Sequence, residues 1–289
     1  EIVEQYIVQY ATKHGVLDVV EYDTTIVAMR HDGNKWTLTT STGSQRGGFD
    51  AVIVATGAYS TSDAFMPAVA DRNTFQGSWL HSVDFKQTKS LCKGKRVVVV
   101  GYGKSAMDCA QMAHKVGAAS TSLVFRSTHW PTPRKILGWV PFEYATFNRV
   151  GQGLLSPPYA SPGLIESAVA KIPGFLAAYW KLVSVVFAKQ FNLGPLEPEL
   201  PLANDLWCGQ GILPDPDFYK LINSGAIKTV RGKIAKVKDA TTLNVTKLDG
   251  TTAELAADVV VFGTGFVQDL SFLPANILSK VQDDGLWLF

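Results

Sequence analysis

The residues best suited to chemistry lie between positions 95 and 127. Gly101, Gly103 and Ala106 stand in the spacing G-x-G-x-x-A, directly after Val97-Val98-Val99-Val100. Four β-branched residues in a row suit a strand buried on both faces. Beyond the turn, Ala106, Cys109, Ala110 and Ala113 recur at helical spacing, and Gly117 stops the pattern. Strand, glycine turn and helix in that order make a site for a dinucleotide. Gly101 forms the turn, Gly103 lets the backbone approach a pyrophosphate, and the small Ala106 lets helix and strand pack closely. The helix N-terminus, with Lys104 and Ser105 in its first turn, offers unpaired N–H groups and partial positive charge to phosphates.

The next strand separates NADP from NAD. Residues 120–125 (STSLVF) lead into Arg126-Ser127. An acidic residue here would bond a ribose 2′-hydroxyl, whereas a cation and a hydroxyl suit a 2′-phosphate. Lys104 and Arg134 are candidates for additional positive charge. The expected cofactor of this turn is therefore NADP(H).

Two segments that must position such sites end alike. Residues 50–57 read DAVIVATG and residues 258–265 read DVVVFGTG, in register from the leading Asp to the Thr-Gly end. Each follows a helix and a strand with a hairpin. The first series runs from a helix over 1–14 through strands at 19–30 and 35–40; the second has a helix at 218–223 and strands at 233–237 and 243–248. A duplicated unit is the reading, each copy being the closing half of a dinucleotide-binding domain. Bare backbone at a strand end lies beside a cofactor, which nominates Ala55, Thr56 and Gly57, and Gly263, Thr264 and Gly265. The second copy has its glycine turn upstream, at Gly101. The first has none, and its strand–turn–helix head is expected before Glu1.

The chain has 289 residues, 46% hydrophobic and 18% charged, enough for two domains with ample core. A net charge of +2 gives no argument for a nucleic-acid partner. Cys92, Cys109 and Cys208 are odd in number and far apart, which supplies neither a disulfide framework nor zinc spacing, and no metal site is expected. A reducing, cytoplasmic location is the expectation. Residues 172–188 are strongly apolar and nearly long enough to span a bilayer, but they suit a core helix equally well. Membrane association, at the endoplasmic reticulum for example, is the alternative.

Between the two units lies Phe75-x-Gly77-x-x-x-His81-x-x-x-Phe85. This spacing resembles the identifying sequence of flavin-containing monooxygenases, and it falls where that family has it, between an ATG-type strand end and the NADP glycine turn. Arg126-Ser-Thr-His-Trp130 and Gly263-Thr-Gly-Phe266 resemble that family too. Baeyer–Villiger monooxygenases share most of the pattern, but Phe85-Lys86 favours the branch that oxygenates amines and sulfides.

The resemblance implies an α/β protein of two Rossmann-like dinucleotide-binding domains, one FAD-type and one NADP-type, the first lacking its N-terminal βαβ head. Residues 1–92 and 256–289 would form the FAD-binding remnant. Residues 93–255 would form the NADP-binding domain, with a helical or loop insert at about 141–214. It further implies FAD and NADPH as cofactors, O2 as co-substrate and a small amine or sulfide as substrate, oxygenated through a flavin C4a-hydroperoxide. Alternatives are a Baeyer–Villiger enzyme or a non-catalytic NADP-binding fragment. No side chain is nominated as catalytic, and His81 is expected to hold a turn rather than to move protons.

Overall fold

Glu1–Asp63 with Val267–Phe289 form one unit and Ala64–Phe266 the other. The computed structural model describes residues 2–57, 64–146, 148, 154, 172, 174–207, 211–267 and 269–280.

In the first unit, α1 (Ile2–Lys13) carries Glu4 in its first turn and Lys13 in its last, charges that oppose the helix dipole. Three strands follow, β1 (Ile26–Asp32), β2 (Lys35–Thr40) and β3 (Gln45–Phe49), paired antiparallel in that order. The first strand starts at Ile26 rather than at residue 19, because Leu17–Val19 close into a 3-10 turn. Residues 50–57, expected as a return strand, form none. A strand needs neighbours to take its backbone groups, and no described strand lies beside this stretch. Ile53 is accordingly 91% exposed despite its type.

The second unit begins with β4 (Ser78–His81), α2 (Phe85–Thr88), β5 (Arg96–Val100), α3 (Lys104–Lys115) and β6 (Ser120–Phe125). The insert follows, with the hairpin β7 (Lys135–Ile136) and β8 (Val140–Pro141), then α4 (Phe142–Thr146), α5 (Phe175–Phe191) and α6 (Leu202–Trp207). The chain returns through α7 (Phe218–Asn223), β9 (Ile227–Asp239), β10 (Thr242–Lys247), β11 (Thr252–Ala256) and β12 (Val259–Phe262).

Seven of these strands form one sheet, ordered β11-β10-β9-β6-β5-β12-β4. From β9 to β4 all neighbours are parallel, while β9, β10 and β11 are antiparallel. The valine run explains why β5 is central. Val97 and Val99 pack on one face with α3, and Val98, out of phase, packs on the other with Val124, Val260 and Leu243. Burying a strand on both sides this way contributes roughly 1.5–3 kcal/mol for each large aliphatic side chain.

Within the insert, α5 turns Ser184 and Phe187 inward and leaves Phe175, Leu182 and Val185 exposed. The apolar stretch at 172–188 is therefore largely an amphipathic helix packed on the core. Among the described residues, no helix is long and apolar enough to cross a membrane. Residues 147, 149–153, 155–171, 173 and 208–210 of the insert, Cys208 included, lie outside the described residues.

An ion pair ties the starts of β5 and β12. Asp258 Oδ2 accepts from the Arg96 backbone N at 2.8 Å and from Nε at 3.1 Å, and Oδ1 accepts from an Arg96 guanidinium nitrogen at 2.7 Å. These bonds hold the Asp258 carboxyl down at about 2, chiefly through the guanidinium. A depressed folded-state value stabilises the native form above the unfolded value of about 4. That contribution is lost as pH falls from about 4 towards 2. Asp258→Asn should lower stability by about 1–2 kcal/mol at neutral pH, discounted for partial exposure. Denaturant unfolding should show the variant and parent converging near pH 2; a constant difference across that range would contradict the assignment.

Candidate cofactor-binding site

The site grows from the C-terminal ends of the parallel strands. Gly101 leaves β5 with φ +121, a conformation L side chains rarely adopt, and its N–H donates to Val124 O at 2.9 Å. A Cβ on Gly101 would lie 2.4 Å from Gly263 O. Gly263, leaving β12, donates its N–H to Val100 O at 2.8 Å, and a Cβ on it would lie 2.6 Å from both Cα and Cβ of Ala106. The three small residues thus interlock, and only bare backbone lets β12, the turn and α3 come this close.

Gly103 is the N-cap of α3 and receives no side-chain cap. The first-turn N–H groups, at exposed Lys104 and Ser105 and at buried Ala106, lack intrahelical partners and suit an anion. Lys104 bonds Asp108 one turn on. Tyr102, between the two glycines, is instead locked inward. Its ring lies 4.5 Å from that of Phe125, and its hydroxyl is 3.2 Å from that of Tyr219 on α7. Burial pushes the Tyr102 phenol up to about 12.

Arg126 and Ser127 are exposed immediately after β6. Arg134 stands beside the base of the β7–β8 hairpin, its carbonyl bonded by Phe142 N. A residue not nominated from the sequence joins this end of the sheet: Arg231, opposite Phe125 in the β6–β9 register. Its Nε is buried without a partner, as is Thr128 Oγ1, two residues past Arg126. Buried donors usually have partners, so unmatched ones here suit a polar ligand. Arg231 falls outside the strand expected at 233–237 because β9 begins earlier, at Ile227. The β-branched residues Ile227, Thr229 and Val230, soon after the α7 pattern, are the signal that places the strand here.

The remaining nominated residues divide. His81 is buried, with Nε2 at 3.0 Å from Gly265 O and Nδ1 accepting from Val83 N at 3.3 Å. The second contact leaves Nδ1 without a proton, so Nε2 carries it and donates. Gly265 O also accepts from Phe65 N at 3.0 Å, and Thr264 Oγ1 donates to Phe65 O. Phe75 packs edge-on to Trp79 at 5.0 Å, and a Cβ on Gly77 would lie 2.4 Å from the Phe75 ring. Phe85 is buried in the core. The motif therefore shapes the turns around β4 and β12. Ala55, Thr56 and Gly57 sit exposed in the irregular stretch of the first unit. Cys92 and Cys109 are free and buried, and burial raises their thiols to about 11 and about 12, away from nucleophilic use.

A parallel sheet with a glycine turn, a bare helix N-terminus and cations on neighbouring strand ends defines an α/β dinucleotide-binding protein. The sequence model of one family, FMO-like (flavin-binding monooxygenase-like), matches residues 1–156, and the chain belongs to that family. Probable flavin-containing monooxygenase 1 of Arabidopsis thaliana is 28% identical over 241 residues, covering 75% of this chain and 42% of that protein. Dimethylaniline monooxygenase [N-oxide-forming] 2 of Mus musculus is 26% identical over 294 residues, covering 99% of this chain and 50% of its own length. The chain thus spans about half the length of the curated relatives it matches. A solved structure of OTEMO in complex with FAD and NADP has the same fold, with a TM-score of 0.63 at 18% identity, over 93% of this chain and 56% of that one.

The interlock of small residues predicts a sharp steric effect. Gly263→Ala should destabilise the second unit by about 1–3 kcal/mol, since backbone and not a flexible side chain must yield. Thermal unfolding should register the loss; an unchanged midpoint would mean that β12 and α3 separate freely.

Proposed function

We propose that the chain forms the NADP(H)-binding part of an FAD- and NADPH-dependent monooxygenase that transfers one oxygen atom from O2 to a small amine or sulfide. The supporting observation is the arrangement at this end of the sheet: the Gly101–Gly263–Ala106 interlock beside a bare helix N-terminus, with Arg126 just past β6 and Arg231 on β9 opposite Phe125. The amine or sulfide preference rests on Phe85-Lys86 and on the N-oxide-forming relative. Likeness to Baeyer–Villiger-type structures such as cyclohexanone monooxygenase, at 17% identity, carries the fold and not the reaction.

The residues of the second unit fit NADP(H). The N–H groups after Gly103 would hold the pyrophosphate, and Arg126, Ser127 and Arg231 would hold the 2′-phosphate. The bound nicotinamide supplies a hydride. Lys104 adds charge near the phosphates while remaining paired with Asp108. The part played by the protein is to bind and orient. His81, with both ring nitrogens occupied, holds the Thr264-Gly265 turn and moves no proton. The FAD half is assigned to the first unit, through Ala55, Thr56 and Gly57, within the intact protein. Among the described residues there, none forms a phosphate-binding turn.

Arg126→Ala should raise the NADPH dissociation constant by about tenfold or more, the equivalent of about 1.5–3 kcal/mol for a charged hydrogen bond, and leave NADH nearly unaffected. Titration of the chain with each nucleotide provides the measurement, and equal losses would remove the phosphate role. For the intact protein, oxygen-dependent NADPH oxidation yielding an N- or S-oxide is expected; a lactone or ester from a ketone would transfer it to the Baeyer–Villiger class.

A further inference from the structure

Arg231 does not wait empty. One guanidinium nitrogen donates to Glu199 Oε1 at 2.8 Å, while Nε stays buried without a partner. The carboxylate therefore satisfies only part of a group built for two-pronged recognition of an anion. The pair is also open to water: side-chain exposure is 32% for Arg231 and 78% for Glu199. Exposed pairs of this kind contribute about 0–1 kcal/mol, so a better anion displaces the carboxylate readily.

Glu199 keeps its place for reasons independent of Arg231. It stands in Pro198-Glu199-Leu200-Pro201, where flanking prolines restrict the backbone. Trp130 Nε1 donates to Leu200 O at 2.7 Å. Trp130 N in turn donates to the buried Asp205 Oδ2 at 2.5 Å, and Asp205 Oδ1 lies 3.1 Å from His129 Nδ1. Thr132 N and Ile212 N continue the stitching, to Ile212 O at 2.7 Å and Trp130 O at 3.0 Å. The strap that begins at Arg126-Ser127 thus holds the loop bearing Glu199, which meets β9 at Arg231. An anion that displaces the carboxylate from Arg231 leaves its negative charge nearby.

We propose that Glu199 is a built-in competitor of the cofactor's 2′-phosphate: it occupies Arg231 in the free protein and weakens the binding of nucleotides that carry that phosphate. The proposal rests on the NADP(H) reading of the site. Its effect is selective, because a nucleotide without the 2′-phosphate has no reason to displace the carboxylate. It also moderates affinity, so that the oxidised cofactor leaves a site that would otherwise present two unopposed arginines.

The probes are 2′,5′-ADP and 5′-AMP, titrated calorimetrically into the full chain at low salt. Glu199→Gln should tighten 2′,5′-ADP about three- to fivefold, in line with an exposed charge pair, and leave 5′-AMP unchanged. Arg231→Gln should weaken 2′,5′-ADP and cancel the gain when combined with Glu199→Gln. Glu199→Ala should repeat the sign of Glu199→Gln. No change, a loss, or equal tightening of both probes in Glu199→Gln overturns the proposal; a loss would mean that Glu199 positions Arg231. Failure of the NADP(H) reading looks different: the unaltered chain would then bind 2′,5′-ADP no better than 5′-AMP, and both ideas fall together.

Discussion

Everything at the nucleotide end of the second unit depends on how closely backbone can approach backbone. Gly101, Gly263 and Ala106 meet at separations that leave no room for a side chain. That contact fixes the end of β12 against the turn and the turn against α3. The helix axis is thereby aimed so that its unpaired N–H groups face outward. At the other end of the same strands, Arg96 and Asp258 set the register with a charged pair. Sterics at one end and electrostatics at the other hold β5 and β12 together, with buried valines between them.

The duplicated segments show how far a local pattern carries. Helix, antiparallel strands and an Asp-led aliphatic run occur twice, and the three-stranded meanders β1-β2-β3 and β9-β10-β11 correspond. The closing runs do not. Residues 259–262 become β12 because β5 and β4 lie on either side to take their backbone groups. Residues 50–57 have equal aliphatic content but no described neighbour, and they stay irregular with Ile53 exposed. Aliphatic type is thus a condition for a parallel strand, while pairing decides it. The leading acid keeps its partner in both: Asp258 with Arg96, and Asp50 with Lys35.

Much of the candidate site is legible in the sequence because its signals are local. The glycine spacing, the valine run and the helical alanines fall within twenty or so residues, and each has one conformational meaning. Arg126 and Ser127 follow from the next strand. Arg231 was not legible on the same terms. It reaches the site through β-pairing with Phe125, 106 positions earlier in the sequence, and its place beside the end of β6 depends on where β9 begins. Glu199 is less legible still, since a proline-rich loop with several acids gives no hint which one meets an arginine. The role of Phe75, Gly77, His81 and Phe85 was readable as a motif, but that it works by packing and by a histidine bonded at both nitrogens needed the structure.

Several polar groups among the described residues are used for geometry. His81 is spent on holding a turn, Asp205 on clamping the strap, and the Tyr102–Tyr219 pair on locking the glycine loop to α7. The buried cysteines are raised out of nucleophilic range. Each is a group that could serve chemistry elsewhere, and each is committed here to geometry. What remains at this end of the sheet, among the described residues, is main-chain N–H at the start of α3, the exposed Arg126 and the unpartnered Nε of Arg231, donors suited to phosphate. Donors so placed match the phosphates of a nucleotide, which is the role proposed for them above.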